Sequence, residues 1–190
     1  MLSLTARQFN EKFLRGFSDL SLRGEIPHWS KDRANTRWTK MIYGIISRIA
    51  GEHNLTFQRE LCWDITLWDN EFLKVAIESE VSDTDWLHIL KNNGKSDGGA
   101  EVPKLITADS HLKVLIWVFS HRNYFSKWNL LVRDFSSAVA TQHKQRGQGY
   151  LFIGITLPPK QSNYLYNAAQ ISEDEGSHDL SLILVPRALR

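Results

Sequence analysis

Residues 60–80, ELCWDITLWDNEFLKVAIESE, decide how the rest of the chain is read. They fall in two apolar-alternating runs, Thr56 to Trp68 and Phe72 to Val81, separated by Asp69-Asn70-Glu71, a polar break of the kind that joins antiparallel strands. The spacing predicts a β-hairpin. Side chains along a strand alternate between its faces, so Glu60, Cys62, Asp64 and Thr66 are expected on one face of the first strand, and Leu61, Trp63, Ile65 and Leu67 on the other. In the second strand Glu78 and Glu80 point one way, Val75, Ile77 and Ser79 the other. A register that puts both acidic faces on one side gathers Glu60, Asp64, Glu78 and Glu80 into a mutually repelling cluster. A divalent cation with oxygen ligands is the simplest compensation for such a cluster.

Around this hairpin the chain reads as an α/β protein. Its 190 residues suit a single domain able to bury a sizeable core, with a hydrophobic fraction of 42% and a charged fraction of 23%. The net charge of +2 is too small to argue for nucleic acid by itself. The single cysteine, Cys62, excludes an internal disulfide and favours a reducing compartment. No run has the length of a membrane span, and MLSLTARQFNEKF carries charges where a secretory signal needs an apolar core, so a cytoplasmic protein is expected.

Thr5 and Gln8 form a capping-box pattern ahead of the helical stripe Phe9, Phe13 and Phe17. Residues 21–34 read as a loop. A second helix follows from Asn35 to about Gly51, on Trp38, Ile42, Ile45, Ile46 and Ile49. After the hairpin come a short helix through Trp86 and Leu90, a polar break from Asn92 to Gly99, and a helical turn opened by Pro103. Leu112 to Phe119 predicts a central strand buried on both faces, and Trp128 to Val139 a further helix. Tyr150 to Thr156 and Leu180 to Val185 complete the expected strands, with Ser172 to Asp179 as an acidic loop between them. Helices alternating with strands in this order imply a mixed central sheet sandwiched by helices.

The order helix, strand bearing Asp64, partner strand ending in Glu78-Ser79-Glu80, helix, buried strand resembles the PD-(D/E)XK phosphodiesterase superfamily, the restriction-endonuclease-like fold, over roughly residues 36–145. VAIESE followed by PKLITADSHLKVLIWV carries the resemblance. Glu80 stands where the motif usually has Lys, giving Glu-x-Glu, and Lys104 on the following helix is the candidate for the displaced lysine. The resemblance implies a Mg²⁺- or Mn²⁺-dependent nuclease acting on DNA, and by analogy a homodimer for cutting a duplex. Asp64, Glu78 and the Ser79 carbonyl would hold the metal, with Glu60 as a further candidate ligand. Glu80 would orient or deprotonate the attacking water, and Lys104 would offset phosphate charge.

Lys91, Lys95, Arg122, Lys144 and Arg146 are candidates for a phosphate-contacting rim, and Trp29 and Trp86 for stacking on bases. Gly94-Lys95-Ser96 is not a phosphate-binding loop, because Ile89 stands where that motif needs glycine. Bland readings compete with each assignment: a solvated acidic face, a surface lysine, scattered basic residues. The alternative function is a catalytically inactive member of the same fold serving as a DNA-binding or protein-assembly module.

Overall fold

A computed structural model of the chain describes residues 4–27, 34–59, 63–81, 86–90, 101–119, 127–142, 149–156, 163–172 and 176–186. In chain order the described elements are α1 Ala6–Leu22, α2 Ala34–Glu52, β1 Thr56–Gln58, β2 Ile65–Asp69, β3 Phe72–Val81, α3 Trp86–Leu90, α4 Glu101–Thr107, β4 Leu112–Phe119, α5 Trp128–Gln142, β5 Gly149–Thr156, β6 Asn163–Ser172 and β7 Gly176–Pro186. The seven strands form one mixed sheet in sequential order. Strands β3, β4 and β5 run parallel to one another, and every other neighbouring pair is antiparallel. No helix among the described residues is long and apolar enough to cross a membrane.

The alternation of side chains sorts the core into two layers. Val75, Ile77, Val114, Ile116, Leu151 and Ile153 face one side and pack with Phe9, Phe13 and Phe17 of α1 and Trp38, Ile42 and Ile46 of α2. Ala76, Leu115, Trp117 and Phe152 face the other and pack with Trp86 of α3, Leu105 of α4 and Phe135 of α5. Two right-handed crossovers advancing in the same direction lay their helices on the same face, which is why α3, α4 and α5 share a layer. Helix α1 begins at the anticipated capping box: Thr5 Oγ1 accepts from the Gln8 N–H at 3.2 Å, and Gln8 Oε1 accepts from the Thr5 N–H at 3.0 Å. As expected, β4 is buried along its whole length. Trp117 and Gly154 pair across β4 and β5, and the glycine leaves room for the Trp128 ring.

Three expectations need correction. The run Thr56 to Trp68 is not one strand: β1 ends at Gln58 and turns back, so that Thr56 pairs with Trp68 on β2. Both segments alternate in polarity, and alternation carries no information about a reversal between them. Asp64 therefore precedes β2 in a bend, and the predicted shared strand face with Thr66 does not govern it. Trp63 departs from the Ile65 face as well and packs in the α4 layer. The acidic loop Ser172 to Asp179 is the second correction, because β6 and β7 extend into it on either side of residues 173–175, which lie outside the described residues. Third, Trp86 is no base-stacking platform: it is buried and stacks at 5.4 Å on both Trp117 and Phe152.

Candidate functional site

Asp64 reaches the same end of the sheet as Glu78 by continuing the β2–β3 register one step past its last pair, Ile65 with Ile77. Its carboxylate serves the neighbouring strand directly. Oδ2 accepts the Ser79 backbone N–H at 2.8 Å and the Ser79 hydroxyl at 2.9 Å. The side chain thus takes the place of the backbone acceptor that β2, had it begun earlier, would have offered to β3. Charge-assisted bonds of this kind fix the carboxylate's orientation.

Glu78 projects into the α4 layer and is only 2% exposed. Its Oε1 is buried and has no hydrogen-bond partner, an arrangement that a charged carboxylate tolerates poorly. Burial, then a hydrogen bond with Glu101, then the negative charges of Glu101 and Asp64 push the Glu78 carboxyl up to about 10, against the opposing pull of Lys104.

Helix α4 supplies the remaining charges. Glu101 in its first turn and Lys104 one turn later lie on one face, and Lys104 Nζ donates to Glu101 Oε2 at 2.8 Å while standing 4.0 Å from Glu78 Oε2. Burial draws the Lys104 ammonium down, but the hydrogen bond to Glu101 and the charges of Glu78, Glu101 and Asp64 together leave it raised, so it is firmly cationic. Helix α4 itself is pinned at two backbone carbonyls: Trp63 Nε1 donates to Lys104 O at 3.2 Å, and the fully buried Lys113 donates to Ile106 O at 2.8 Å. Pro103, third in the helix, needs no intrahelical donor there.

On the opposite layer, the Arg59 guanidinium lies 4.9 Å above the centre of the Tyr43 ring. Burial first, and then the Asp64 charge, raise the Tyr43 hydroxyl, and Arg59 partly offsets both. The Asp64 charge therefore acts on Lys104 of one layer and on Tyr43 of the other.

Of the anticipated site residues, Asp64, Glu78, Ser79 and Lys104 come together as described. Glu80 follows on the Glu78 face, half-buried and with an interaction of its own. Glu60, Lys91, Lys95, Arg122, Lys144 and Arg146 lie outside the described residues, as do Cys62 and Trp29. Sequence reasoning missed Glu101 and Arg59. The three-residue spacing from Glu101 to Lys104 was a usable signal, whereas nothing local marks Arg59. Among the described residues no group of three or more His, Cys, Asp or Glu side chains is arranged to hold a metal ion.

No family model matches the chain, and neither a curated protein nor a solved structure matches it.

Proposed function

We propose that the chain is a Mg²⁺- or Mn²⁺-dependent nuclease that hydrolyses DNA phosphodiester bonds, with a restriction-endonuclease-like catalytic core. The observation that carries this reading is the buried, unpartnered Oε1 of Glu78, with Asp64, Glu101 and Lys104 close enough to act on its charge. The element order supports it too: α2, the β2–β3 hairpin, α4 and the buried β4 follow in the order helix, strand, partner strand, helix, buried strand on which the sequence resemblance rests. A cytoplasmic setting and a homodimer for duplex cleavage go with the reading.

The donor chemistry fits a hard divalent ion, since carboxylate oxygens with an orphaned buried lone pair are what such ions take. Asp64 and Glu78 would hold it, with Glu101 as an added carboxylate. The Ser79 carbonyl is a further donor, because an extended residue projects its N–H and C=O to the same side and the Ser79 N–H already meets Asp64. The chemistry a bound ion would supply is neutralisation of non-bridging phosphate oxygens and a more acidic water. Ser79 keeps the Asp64 carboxylate aimed. Glu80 orients the attacking water and takes its proton as the water oxygen bonds to phosphorus and the phosphorus–oxygen bond to the leaving strand breaks. Lys104 offsets charge on the phosphate.

A second reading, an inactive nuclease-fold module that binds DNA or assembles with protein, is favoured by the ammonium of Lys104 already compensating the carboxylates. Incubation of purified protein with plasmid or oligonucleotide discriminates. Cleavage that needs Mg²⁺ or Mn²⁺ and disappears, along with metal uptake, in Asp64→Ala and Glu78→Ala supports the nuclease. Binding of DNA without cleavage under any divalent ion makes the inactive module the better reading, and neither binding nor cleavage ends both.

A further inference from the structure

We propose that Lys104 is a built-in stand-in for the metal: its ammonium occupies the cation position beside Glu78 and Glu101, and entry of a divalent ion displaces it toward the substrate phosphate. The inference rests on the metal-dependent reading of the site and says how that site is regulated.

Three observations carry it. The ammonium donates to Glu101 at 2.8 Å and stands 4.0 Å from Glu78, so it lies against two of the carboxylates an ion would need. Burial also separates what must stay from what must move. Glu78 is 2% exposed and Glu101 13%, whereas the Lys104 side chain is 37% exposed and has water on one side to swing into. Helix α4 is held at the Lys104 and Ile106 carbonyls by Trp63 and Lys113, so the backbone can stay in place while the flexible four-carbon stem turns.

The physical consequence is competition. Without an ion, Lys104 offsets the charges of Glu101 and Asp64 beside Glu78, whose carboxyl keeps a proton that an entering ion would release to solvent. With one, the ammonium is both displaced and repelled, and it leaves the site only as the charge it neutralised is taken over. A phosphate oxygen arriving on the ion is the nearest anion to receive it, which couples ion loading to the presence of a cation for the substrate.

The test titrates Mn²⁺ alone into the full chain by calorimetry, without nucleic acid, for the native protein, Lys104→Gln and Lys104→Met, with thermal unfolding to check that each is folded. Both variants are expected to take up Mn²⁺ about tenfold more tightly, the scale of one charge-assisted hydrogen bond removed from competition. A second measurement uses the unsubstituted protein: reductive methylation of Lys104, followed by mass spectrometry, should speed up on adding Mg²⁺, which mere removal of a nearby charge would not explain. If the native protein binds Mn²⁺ and the variants bind it equally or more weakly, or if methylation of Lys104 is indifferent to Mg²⁺, the stand-in role is overturned while the metal site survives. If neither the native protein nor the variants take up Mn²⁺ at millimolar concentration, the metal reading fails and this inference with it.

Discussion

Ser79 gives both its backbone N–H and its hydroxyl to one oxygen of Asp64, at 2.8 and 2.9 Å. The strand that carries the acidic pair thereby also aims the acid that faces it. Ser79→Ala removes one of the two bonds and leaves the strand pairing intact. Under the metal-dependent reading, an Asp64 carboxylate aimed by one bond fewer should take up Mn²⁺ more weakly, by up to roughly the tenfold or more that a charge-assisted bond of about 1.5–3 kcal/mol corresponds to. Calorimetry on the variant checks this, and an unchanged affinity would mean that Asp64 needs no aiming.

Because Glu78 is held up to about 10 while an exposed glutamate titrates near 4.5, the folded chain keeps a proton that the unfolded chain has released throughout that interval. Stability without metal should therefore decline as pH rises from about 4.5 toward about 10, by at most ~1.4 kcal/mol per pH unit from this group. Glu78→Gln should flatten the decline, and under the metal-dependent reading so should added Mg²⁺. Urea unfolding across the interval measures it, and parallel curves for the native and Gln proteins would refute the assignment.

Arg59 is exposed, rests on Tyr43 and belongs to the layer opposite Lys104. Under the nuclease reading it contacts a phosphate of the same strand. Arg59→Ala should weaken binding of duplex oligonucleotides regardless of sequence and reduce the slope of log affinity against log salt by about one. Mn²⁺ affinity should not move. Fluorescence anisotropy at several salt concentrations reads both quantities, and an unaltered slope removes Arg59 from the interface.

A methyl group at position 154 would stand 2.6 Å from Cζ3 of Trp128, whose ring is itself stacked on Phe152 at 4.7 Å. The ring has little room to yield. Gly154→Ala is expected to destabilise the fold by about 1–3 kcal/mol, as overpacked cores do. Equilibrium unfolding in urea would show it as a lowered midpoint with the slope preserved.

The features legible in the chain are those whose physics is local. Thr5 and Gln8 satisfy each other across one helical turn, and the run Leu112 to Phe119 is apolar at every position except Lys113, as a strand covered on both faces must nearly be. Glu78 and Glu80 take one face of β3 because a strand has a period of two. Strand β6 is not legible in the sequence, because Asn163–Ser172 mixes tyrosine with Asn, Ala and Gln. Its strand character comes from pairing with β5 on one side and β7 on the other.

The candidate site was half legible for a related reason. Asp64, Glu78 and Lys104 could be named, but Glu101 gains meaning only when α4 docks on the sheet and brings it against Glu78. Periodicity and cap chemistry act between residues a few positions apart, so the chain alone marks those helices and strands that carry a clear period, and the apolar face of each. The meeting of a bend before β2, the end of β3 and the first turn of α4 depends on packing between segments distant in sequence. Only the tertiary structure decides that a buried carboxyl and a lysine ammonium stand together, because their burial and charge are properties of that packing.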